Sequence, residues 1–473
     1  MAGRFLSLFG PLSRFMPEVS SPTRKVSFNE KLFWTAMALI IYLVMSEISL
    51  FNVGGGGWEL ESLRIIFASN RGTLTELGIG PIVTGGLILQ LLIGSNIVSA
   101  DLGNPEDRSL FTAANKVFSI VLTGVQATAY LIGRVYGPLD LVTSIIIFIQ
   151  LLFAGLVLML LDEMIQKGWG IGSGISLFIL AGVAQRIMWS SFGPYTMAED
   201  GKSYGAFIAL GQTILGGQPL VNAFFRLDAE GALTTLPSML GFITTVVVFV
   251  IVIYMEGVRV ELPISHANYR GFRGKYPIKL LYVSNLPVIF ASALFANIYV
   301  FAQLLSSHFG QNNFWISLLG TFGGEGGEPT GGLAYYVTSP RSLAQVGADP
   351  LRALIFVGIM VAFAVVFSIT WLEVGGLGPS TVAQQLVDSG MQIPGFRRSG
   401  KSIELILKRY IPVVTILGGA IIGLIASVAE FFGVFGTGMG ILLAVGILYQ
   451  YYQLLVQEQV AEMYPAFGRV LGG

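Results

Sequence analysis

Residues able to do acid–base, nucleophilic or metal chemistry are scarce in this sequence. It has no cysteine, which excludes disulfides and thiolate metal sites. Its two histidines, His266 and His308, lie far apart in polar segments and make an unsuitable metal pair. No His-Glu-x-x-His motif occurs, no paired aspartates lie in an apolar stretch, and no Gly-x-Ser-x-Gly accompanies a histidine on an apolar segment. We therefore predict no catalytic residues, no metal and no cofactor, and an intramembrane enzyme is disfavoured.

The elements that position the remaining polar groups are apolar helices. Of the 473 residues, 53% are hydrophobic and 11% charged, with a mean hydropathy of +0.73. Apolar stretches of about 20 residues recur, each long enough to cross a hydrocarbon core of roughly 30 Å. The sequence thus predicts an all-α integral membrane protein. Its ten predicted spans are residues 32–50, 76–97, 111–133, 140–161, 171–190, 238–256, 285–306, 352–372, 410–428 and 437–457.

Ionisable residues are absent from the central portions of spans four, six, seven, eight, nine and ten. Coupled transporters usually hold a charged group near the middle of the membrane, where it binds the moving ion. A multi-span solute or ion transporter is the alternative class, and it predicts a polar or charged mid-membrane site that the sequence lacks. A passive pathway is the better interpretation.

Loop charge predicts the orientation and the division of the chain. Most of the 27 Lys and Arg residues fall in the N-terminal segment, alternate loops and the C-terminus, so both termini are expected in the cytoplasm. The predicted organisation is a cytoplasmic N-terminal segment (1–31), a first half (32–192), an outer loop (193–237), a second half (238–457) and a cytoplasmic tail (458–473).

Two cytoplasmic loops, residues 257–284 and 373–409, are long, punctuated by Gly and Pro, and basic at their tips. Retention charges that merely set the topology would explain the basic residues. They would not explain the length, because loops this long are usually functional or disordered. Docking of an anionic partner is the second interpretation, and the residues alone favour neither.

The stretch TLTELGIGPIVTGGLILQLL (73–92) is apolar but rich in Gly and Pro. It follows a short amphipathic segment, residues 58–69, that is too short to span. A short helix followed by an apolar one is typical of a re-entrant segment, whose backbone must line a cavity or lie buried in protein. An ordinary outer loop, with glycines that only tighten helix packing, is the other interpretation.

Five motifs together carry a family resemblance: LGIGPIVTGGLILQLL, PEDRSLFTAANK, GWGIGSGISLFI, YVSNLPVIFASALFANIY and MQIPGFRRSGKSIE. They resemble SecY, the channel-forming subunit of the Sec protein translocon, most closely its archaeal branch, over essentially the whole chain. The resemblance implies ten transmembrane helices in two pseudo-symmetric, inverted halves of five, with a short re-entrant plug helix. It also implies a passive protein-conducting channel, which translocates unfolded polypeptides and releases signal or transmembrane segments sideways into lipid.

The resemblance implies four sets of functional residues. A ring of apolar side chains at the waist of the pore would be Ile79, Val83, Ile171, Ile175, Ile289 and Leu442. The plug would contain Glu59, Leu60, Leu63, Ile65, Ile66, Phe67 and Ser69. A polar cluster at the lateral gate would be Thr84, Gln126 and Asn297. Docking residues on the basic loops would be Arg270, Arg273, Lys275, Arg397, Arg398 and Lys401. The first two ring pairs are spaced four residues apart, so each pair is expected on one helix face.

Partners and location also follow from the resemblance. It implies a SecE-type subunit and a small β-type subunit, each with a single span. It further implies a translating ribosome whose RNA is contacted only through the basic loops, together with signal peptides and nascent polypeptide. The location implied is the cell (plasma) membrane, with the chain crossing the lipid several times.

Overall fold

The computed structural model describes residues 9, 11, 16–53, 72–94, 98, 105–132, 136–137, 139–196, 200–227, 233–266, 273–283, 286–310, 313–323, 328–392 and 400–463. These residues are predominantly helical, and ten long helices occupy the ten predicted spans. In chain order, spans one to ten are Phe28–Glu47, Gly80–Gly94, Pro105–Ile132, Leu141–Met164, Gly174–Phe192, Met239–Gly257, Leu286–Phe309, Pro350–Val374, Gly400–Phe431 and Gly438–Met463. Within the described ranges, eight helices are long and apolar enough to cross a membrane.

Span four illustrates why these helices suit a membrane. Its inner stripe, Ile147, Leu151, Ala154 and Leu158, is almost completely buried and repeats at helical spacing. Its opposite face is just as apolar, and Phe153 on that face is 63% exposed. A helix that is apolar on all sides, yet exposed on one, requires lipid rather than water around it.

Short elements connect the spans. The described helices among them are Ala206–Leu215, Val221–Phe225, Phe314–Leu319, Gly332–Val337, Leu343–Ala348 and Pro379–Asp388. A single π-helical turn, Ile165–Trp169, follows span four. The described strands are β1 (Arg259–His266), β2 (Arg273–Lys279), β3 (Thr321–Gly323), β4 (Glu328–Gly331) and β5 (Met391–Gln392).

The chain divides into two compact units. The first contains residues 1–185, 323–328 and 447–473, and the second contains residues 186–322 and 329–446. In the first unit, Tyr42 of span one stacks on Phe178 of span five with ring centroids 5.0 Å apart. In the second, Phe290 of span seven packs against Trp371 of span eight at 5.3 Å. Each unit therefore has an interior of its own, built from helix–helix packing.

The two basic loops fold together into an antiparallel sheet that the sequence analysis did not predict. Its strand order is β2-β1-β5, so the second loop adds a strand to the hairpin of the first. Ser265 pairs with Arg273 on one side and with Gln392 on the other. Leu262 and Ile278 pack under the sheet on a buried cluster that includes Ile403 and Leu407 of span nine. Both loops are therefore anchored on one folded base.

Candidate functional site

The backbone just before span two is hydrogen-bonded to the backbone just after span one. Ser49 and Thr73 form an isolated antiparallel bridge. Beside it, Leu50 N donates to Gly72 O at 2.7 Å, and Leu74 N donates to Ile48 O at 2.9 Å. We call this pairing the neck. Residues 54–71, including every predicted plug residue from Glu59 to Ser69, lie outside the described residues.

The first two predicted ring residues lie at the start of span two. Ile79 directly precedes the helix and is fully buried, whereas Val83 is half-buried in the first turn. Val83 N donates to Ile79 O at 3.0 Å, which is the i to i−4 bond of an α-helix. This pair therefore lies one turn apart on one face, as predicted from the spacing.

The glycines of span two have a packing reason within the described structure. A Cβ at Gly85 would lie 3.3 Å from both the amide nitrogen and the hydroxyl of Ser119 on span three. A Cβ at Gly86 would lie 3.5 Å from the Asn115 amide oxygen, also on span three. Because glycine has no side chain, the two helix backbones can approach closely, which is the usual role of small residues in membrane helices.

The second ring pair does not share a helix face, so the spacing argument was wrong for Ile171 and Ile175. Span five begins at Gly174, and Ile171 lies before it in a non-helical stretch. Glycines interrupt the helix here: Gly172 adopts a left-handed φ of 76°, which favours glycine. Ile171 is buried and Ile175 half-buried.

Side chains from three other helices hold the backbone of this stretch; we call Thr35, Asp162 and Tyr451 the cradle. Thr35 Oγ1 of span one accepts from Ile171 N at 3.0 Å, and Asp162 Oδ1 of span four accepts from Ile175 N at 3.0 Å. The Tyr451 hydroxyl of span ten accepts from Ser173 N at 2.9 Å. The same hydroxyl lies 2.8 Å from Ser173 O and 3.1 Å from Ile171 O.

The glycines of GWGIGSGISLFI make room for the cradle. A Cβ at Gly172 would lie 2.5 Å from the Tyr451 hydroxyl oxygen, and one at Gly174 would lie 2.7 Å from the Asp162 Cα. Side chains at these positions would displace the cradle. The result is a non-helical stretch whose amide groups are satisfied without a helix, as buried backbone requires.

A cluster of charges covers the same end of the first unit. Lys116 of span three and Glu163 of span four are both nearly buried and lie 2.5 Å apart. Lys167 of the π-helical turn contacts Glu163 at 2.9 Å and Glu18 of the N-terminal segment at 2.5 Å. The hydrogen bond from Lys167 lowers the pKa of the Glu18 carboxyl. Two cations and two anions offset each other, so the cluster fastens the N-terminal segment instead of presenting a net charge.

The remaining ring residues belong to the second unit. Ile289 is half-buried on span seven. Leu442 is 1% exposed on span ten, just after a turn in which Gly436 and Thr437 both adopt positive φ. None of the six predicted ring positions is exposed like the lipid-facing residues of span four.

The predicted gate residues are only partly described. Thr84 on span two and Gln126 on span three are both half-buried. Asn297 lies on the helix of span seven, and its side chain is outside the described structure. Their role as a cluster stays a prediction.

Two of the six predicted docking residues, Arg273 and Lys275, lie on the sheet. Arg273 begins β2 opposite Ser265, and Lys275 is exposed and forms an ion pair with Glu261 of β1. The hydrogen bond from Lys275 lowers the pKa of the Glu261 carboxyl. Lys401 is exposed at the start of span nine. Arg270, Arg397 and Arg398 lie outside the described residues.

Among the described residues, no three His, Cys, Asp or Glu side chains are grouped so that they could hold a metal ion. Two of the buried acids have structural contacts: Asp162 caps span five, and Glu163 pairs with Lys116. In the first unit, the backbone amides of the apolar residues Ile171 and Ile175 are held by side chains from other helices.

Comparison with known proteins gives a consistent result. The SecY family model matches residues 73–452. The protein translocase subunit SecY of Pyrococcus furiosus is 41% identical over 475 residues, covering 98% of each chain. A solved structure described as a protein-conducting channel superposes with a TM-score of 0.79 at 39% identity, covering 96% of this chain and 98% of that one.

A second solved structure is Sec61 in the canine ribosome–channel complex from the endoplasmic reticulum. It gives a TM-score of 0.77 at 37% identity, with the same coverage of 96% and 98%. The alignments extend over almost the entire length of each protein, so they concern the whole fold and no isolated motif. Together with the family model and the 41% identical relative, they show that this multi-pass membrane protein belongs to the SecY family, in its archaeal form.

Proposed function

We propose that this chain is a passive protein-conducting channel. It would translocate unfolded polypeptides across the membrane and release signal or transmembrane segments sideways into lipid. The observation that carries the proposal is the whole-chain similarity to a solved protein-conducting channel. The scarcity of ionisable groups along the spans is consistent with it, because a passive channel takes its energy from a partner and needs no coupling site.

The seal of the resting channel would be an apolar ring formed by the six predicted residues. A narrow apolar constriction excludes water when it is empty, and ions with it. Branched side chains such as Ile79 and Ile171 could yield around a passing chain without binding it. Two observations support this role: none of the six is exposed, and the backbone at Ile171 and Ile175 is held by the cradle.

Residues 58–69 would form a plug that completes the seal. The neck supports this proposal, since its hydrogen bonds keep Leu50 and Gly72 paired regardless of the path between them. Thr84, Gln126 and Asn297 would form the lateral gate. A signal segment must shift the equilibrium between the closed and the open gate. Hydrogen bonds between uncharged polar side chains suit this, because each contributes only about 1 kcal/mol in a membrane.

The basic loops would dock a translating ribosome through its RNA, using Arg270, Arg273, Lys275, Arg397, Arg398 and Lys401. The canine relative is described in a ribosome–channel complex. In this chain, the shared sheet supports joint docking, because residues 267–272 and 393–399 both extend from strands that pair with β1. Phosphate contacts would make the affinity depend strongly on salt.

The proposal includes the orientation and the assembly. Both termini would lie in the cytoplasm, as loop charge predicts. The membrane would be the cell (plasma) membrane, as the resemblance to archaeal SecY implies. SecE-type and small β-type single-span subunits would accompany the chain. Purification from native membranes, followed by identification of the copurifying chains, tests the assembly.

Reconstitution tests the channel itself. Vesicles holding the purified complex should accumulate protease-protected polypeptide when supplied with ribosomes that carry a signal-bearing nascent chain. Absence of protected product would contradict the function. For the seal, Ile171→Ser should raise the resting ion conductance in planar bilayers. The matched control is Ile145→Ser on span four, where the side chain is 51% exposed toward lipid. Equal conductance in the two variants would remove Ile171 from the ring.

Charge reversal tests the docking surface. Arg273→Glu and Arg397→Glu should each weaken ribosome binding, with the largest effect at low salt. Lys408→Glu is the control, because Lys408 is 60% exposed and lies within the helix of span nine, beyond Lys401, the last predicted docking residue in the sequence. Unchanged binding in both loop variants, or an equal loss in the control, would contradict the assignment.

A further inference from the structure

The connection between spans five and six contains an uncharged helical hairpin, residues 206–225, which we call the surface hairpin. It consists of the helices Ala206–Leu215 and Val221–Phe225 joined by a short turn. No Asp, Glu, Lys or Arg occurs from Ser203 to Phe225. The first helix has only ten residues, too few to cross a membrane.

The hairpin exposes a large apolar surface. Its exposed side chains are Ile214 (58%), Leu215 (90%), Leu220 (56%), Val221 (56%), Phe224 (38%) and Phe225 (40%). They cluster around the turn and the second helix. Contiguous exposed apolar surface of this kind marks an interaction site rather than an ordinary water-facing loop.

The turn of the hairpin is closed by its own backbone hydrogen bonds, while Lys202 Nζ, outside the hairpin, donates to the Thr213 hydroxyl at 2.9 Å. At the turn, the amides of Gly216, Gly217 and Gln218 donate to Gln212 O, Ile214 O and Thr213 O at 2.9–3.2 Å. The Thr213 hydroxyl is fully buried and donates to a backbone carbonyl of its own helix. Backbone that needs no water for its hydrogen bonds can enter an apolar environment at little cost.

The side chains of two charged residues that flank the hairpin, Asp200 and Arg226, are buried. Arg226, directly after the hairpin, is 1% exposed, and its Nε donates to Asp200 Oδ2 at 2.8 Å. Its Nη1 donates to the carbonyl of Tyr204 at 2.9 Å, which ties the pair to the start of the hairpin. This buried ion pair fixes the base of the hairpin and leaves the apolar face uncharged.

Aromatic contacts place the hairpin at the level where two spans end. Phe207 stacks on Phe192, the last residue of span five, with ring centroids 5.3 Å apart. Phe207 also packs edge-on against Phe242, in the first turn of span six, at 4.8 Å. Close by in sequence, Trp189 packs on Tyr195 at 5.3 Å, and both are exposed. Exposed Trp and Tyr side chains are typical of the boundary between lipid and water.

We propose that the surface hairpin lies in the lipid bilayer interface, with its exposed apolar face inserted among acyl chains beside spans five and six. The partner is the membrane itself, because the hairpin packs through Phe207 on Phe192, the last residue of span five, whose side chain is 52% exposed. Short helices with one apolar face commonly bind at this depth. The insertion depends only on the chain spanning a membrane, so it stands apart from the translocation activity.

The absence of cysteine makes a direct test possible. Leu215→Cys and Phe224→Cys are labelled with bimane, and the complex is reconstituted in phosphatidylcholine vesicles. Some of the lipid carries a doxyl quencher, either near the headgroup or near the acyl-chain end. Ile251→Cys in span six, 42% exposed, is the lipid-facing control. Ser380→Cys, exposed on the helix Pro379–Asp388, is the water-facing control.

We expect both hairpin labels to be quenched at least about twofold more by the shallow doxyl lipid than the Ser380 label, and to resist aqueous iodide. Iodide quenching as strong as at Ser380, without lipid quenching, would overturn the proposal. Protection from both quenchers would overturn it as well, since a second copy or another subunit would then cover the face. Two independent label positions guard against a local defect in either variant.

Discussion

Tyr451→Phe isolates the contribution of the cradle to the resting channel. The substitution removes one hydroxyl and keeps the aromatic ring. In the structure this hydroxyl accepts from Ser173 N at 2.9 Å and faces two carbonyl oxygens, those of Ser173 and Ile171. The variant therefore loses its direct link between span ten and the stretch that carries Ile171, while Thr35 and Asp162 still hold the two ends.

The magnitude follows from the groups left without a partner. A buried donor or acceptor that loses its partner costs about 1–3 kcal/mol. The Ser173 amide is only partly buried, so about 1–2 kcal/mol is the appropriate range. Because about 1.4 kcal/mol corresponds to a tenfold change in an equilibrium, the displaced state of this stretch should become roughly 5- to 30-fold more populated.

Single-channel recording of the purified complex in planar bilayers measures that population as resting openings. Tyr451→Phe should raise their frequency several-fold, and it should leave the yield and the gel-filtration profile of the complex unchanged. The control is Tyr452→Phe, which removes the same group from the next residue, where the side chain is 66% exposed. Two results would refute the idea that the cradle positions Ile171. One is a resting conductance of Tyr451→Phe that is no higher than that of the wild type, and the other is an equal gain in Tyr452→Phe.

Other substitutions test neighbouring features. Gly172→Ala should destabilise the complex more than Tyr451→Phe, because it adds a close contact with the tyrosine to a left-handed backbone; thermal unfolding measures the difference. Arg226→Met should lower the unfolding temperature, since leaving its buried aspartate unpaired costs about 3–5 kcal/mol, whereas an unchanged temperature would argue against the pair. The lowered pKa of Glu18 means that its contact with Lys167 stabilises the fold above the ordinary carboxyl range and is lost as pH falls through the lowered value. The hydrogen-exchange protection factors of the N-terminal segment, which correct for the intrinsic exchange rate, should therefore fall below about pH 4 in the wild type. In Glu18→Gln, exchange should already be fast at neutral pH.

Hydropathy alone was sufficient to predict where the long helices of the ten spans lie. Each of the ten predicted stretches contains a long helix, and the bounds differ by several residues where polar ends extend the helix beyond the membrane. Span nine is the largest case: predicted from residue 410, it begins at Gly400. Its first turns are polar on one side and pack Ile403 and Leu407 under the cytoplasmic sheet. Membrane length alone cannot reveal such an extension.

The sheet was missed although part of its signal was present. Val260, Leu262 and Ile264 alternate with polar residues and proline, a period-two pattern typical of a strand. The pairing of β1 with β5 could not be predicted in this way, because more than a hundred residues separate the two strands and no local pattern links them. The shared base of the two loops is a tertiary feature.

The start of span five shows the limit of spacing arguments. Ile171 and Ile175 fit a helix face by number, but the glycines between Gly168 and Gly174 were a sign of non-helical backbone. What replaces the helix is a set of long-range side-chain bonds from Thr35, Asp162 and Tyr451. A single sequence shows that these residues are present, but it does not indicate that they lie close together in space. The same applies to the pairing of Lys116 with Glu163.

The neck has a consequence for how residues 54–71 could act. Leu50 and Gly72, on either side of them, are hydrogen-bonded to each other, so the segment begins and ends at one place. Even a fully extended chain of this length, at roughly 3.4 Å per residue, could reach only about 30 Å from the neck and back, close to the thickness of the hydrocarbon core. The plug proposed for residues 58–69 would therefore return to the pore by an intramolecular encounter at high effective concentration. Resealing would then be independent of how much protein the membrane contains.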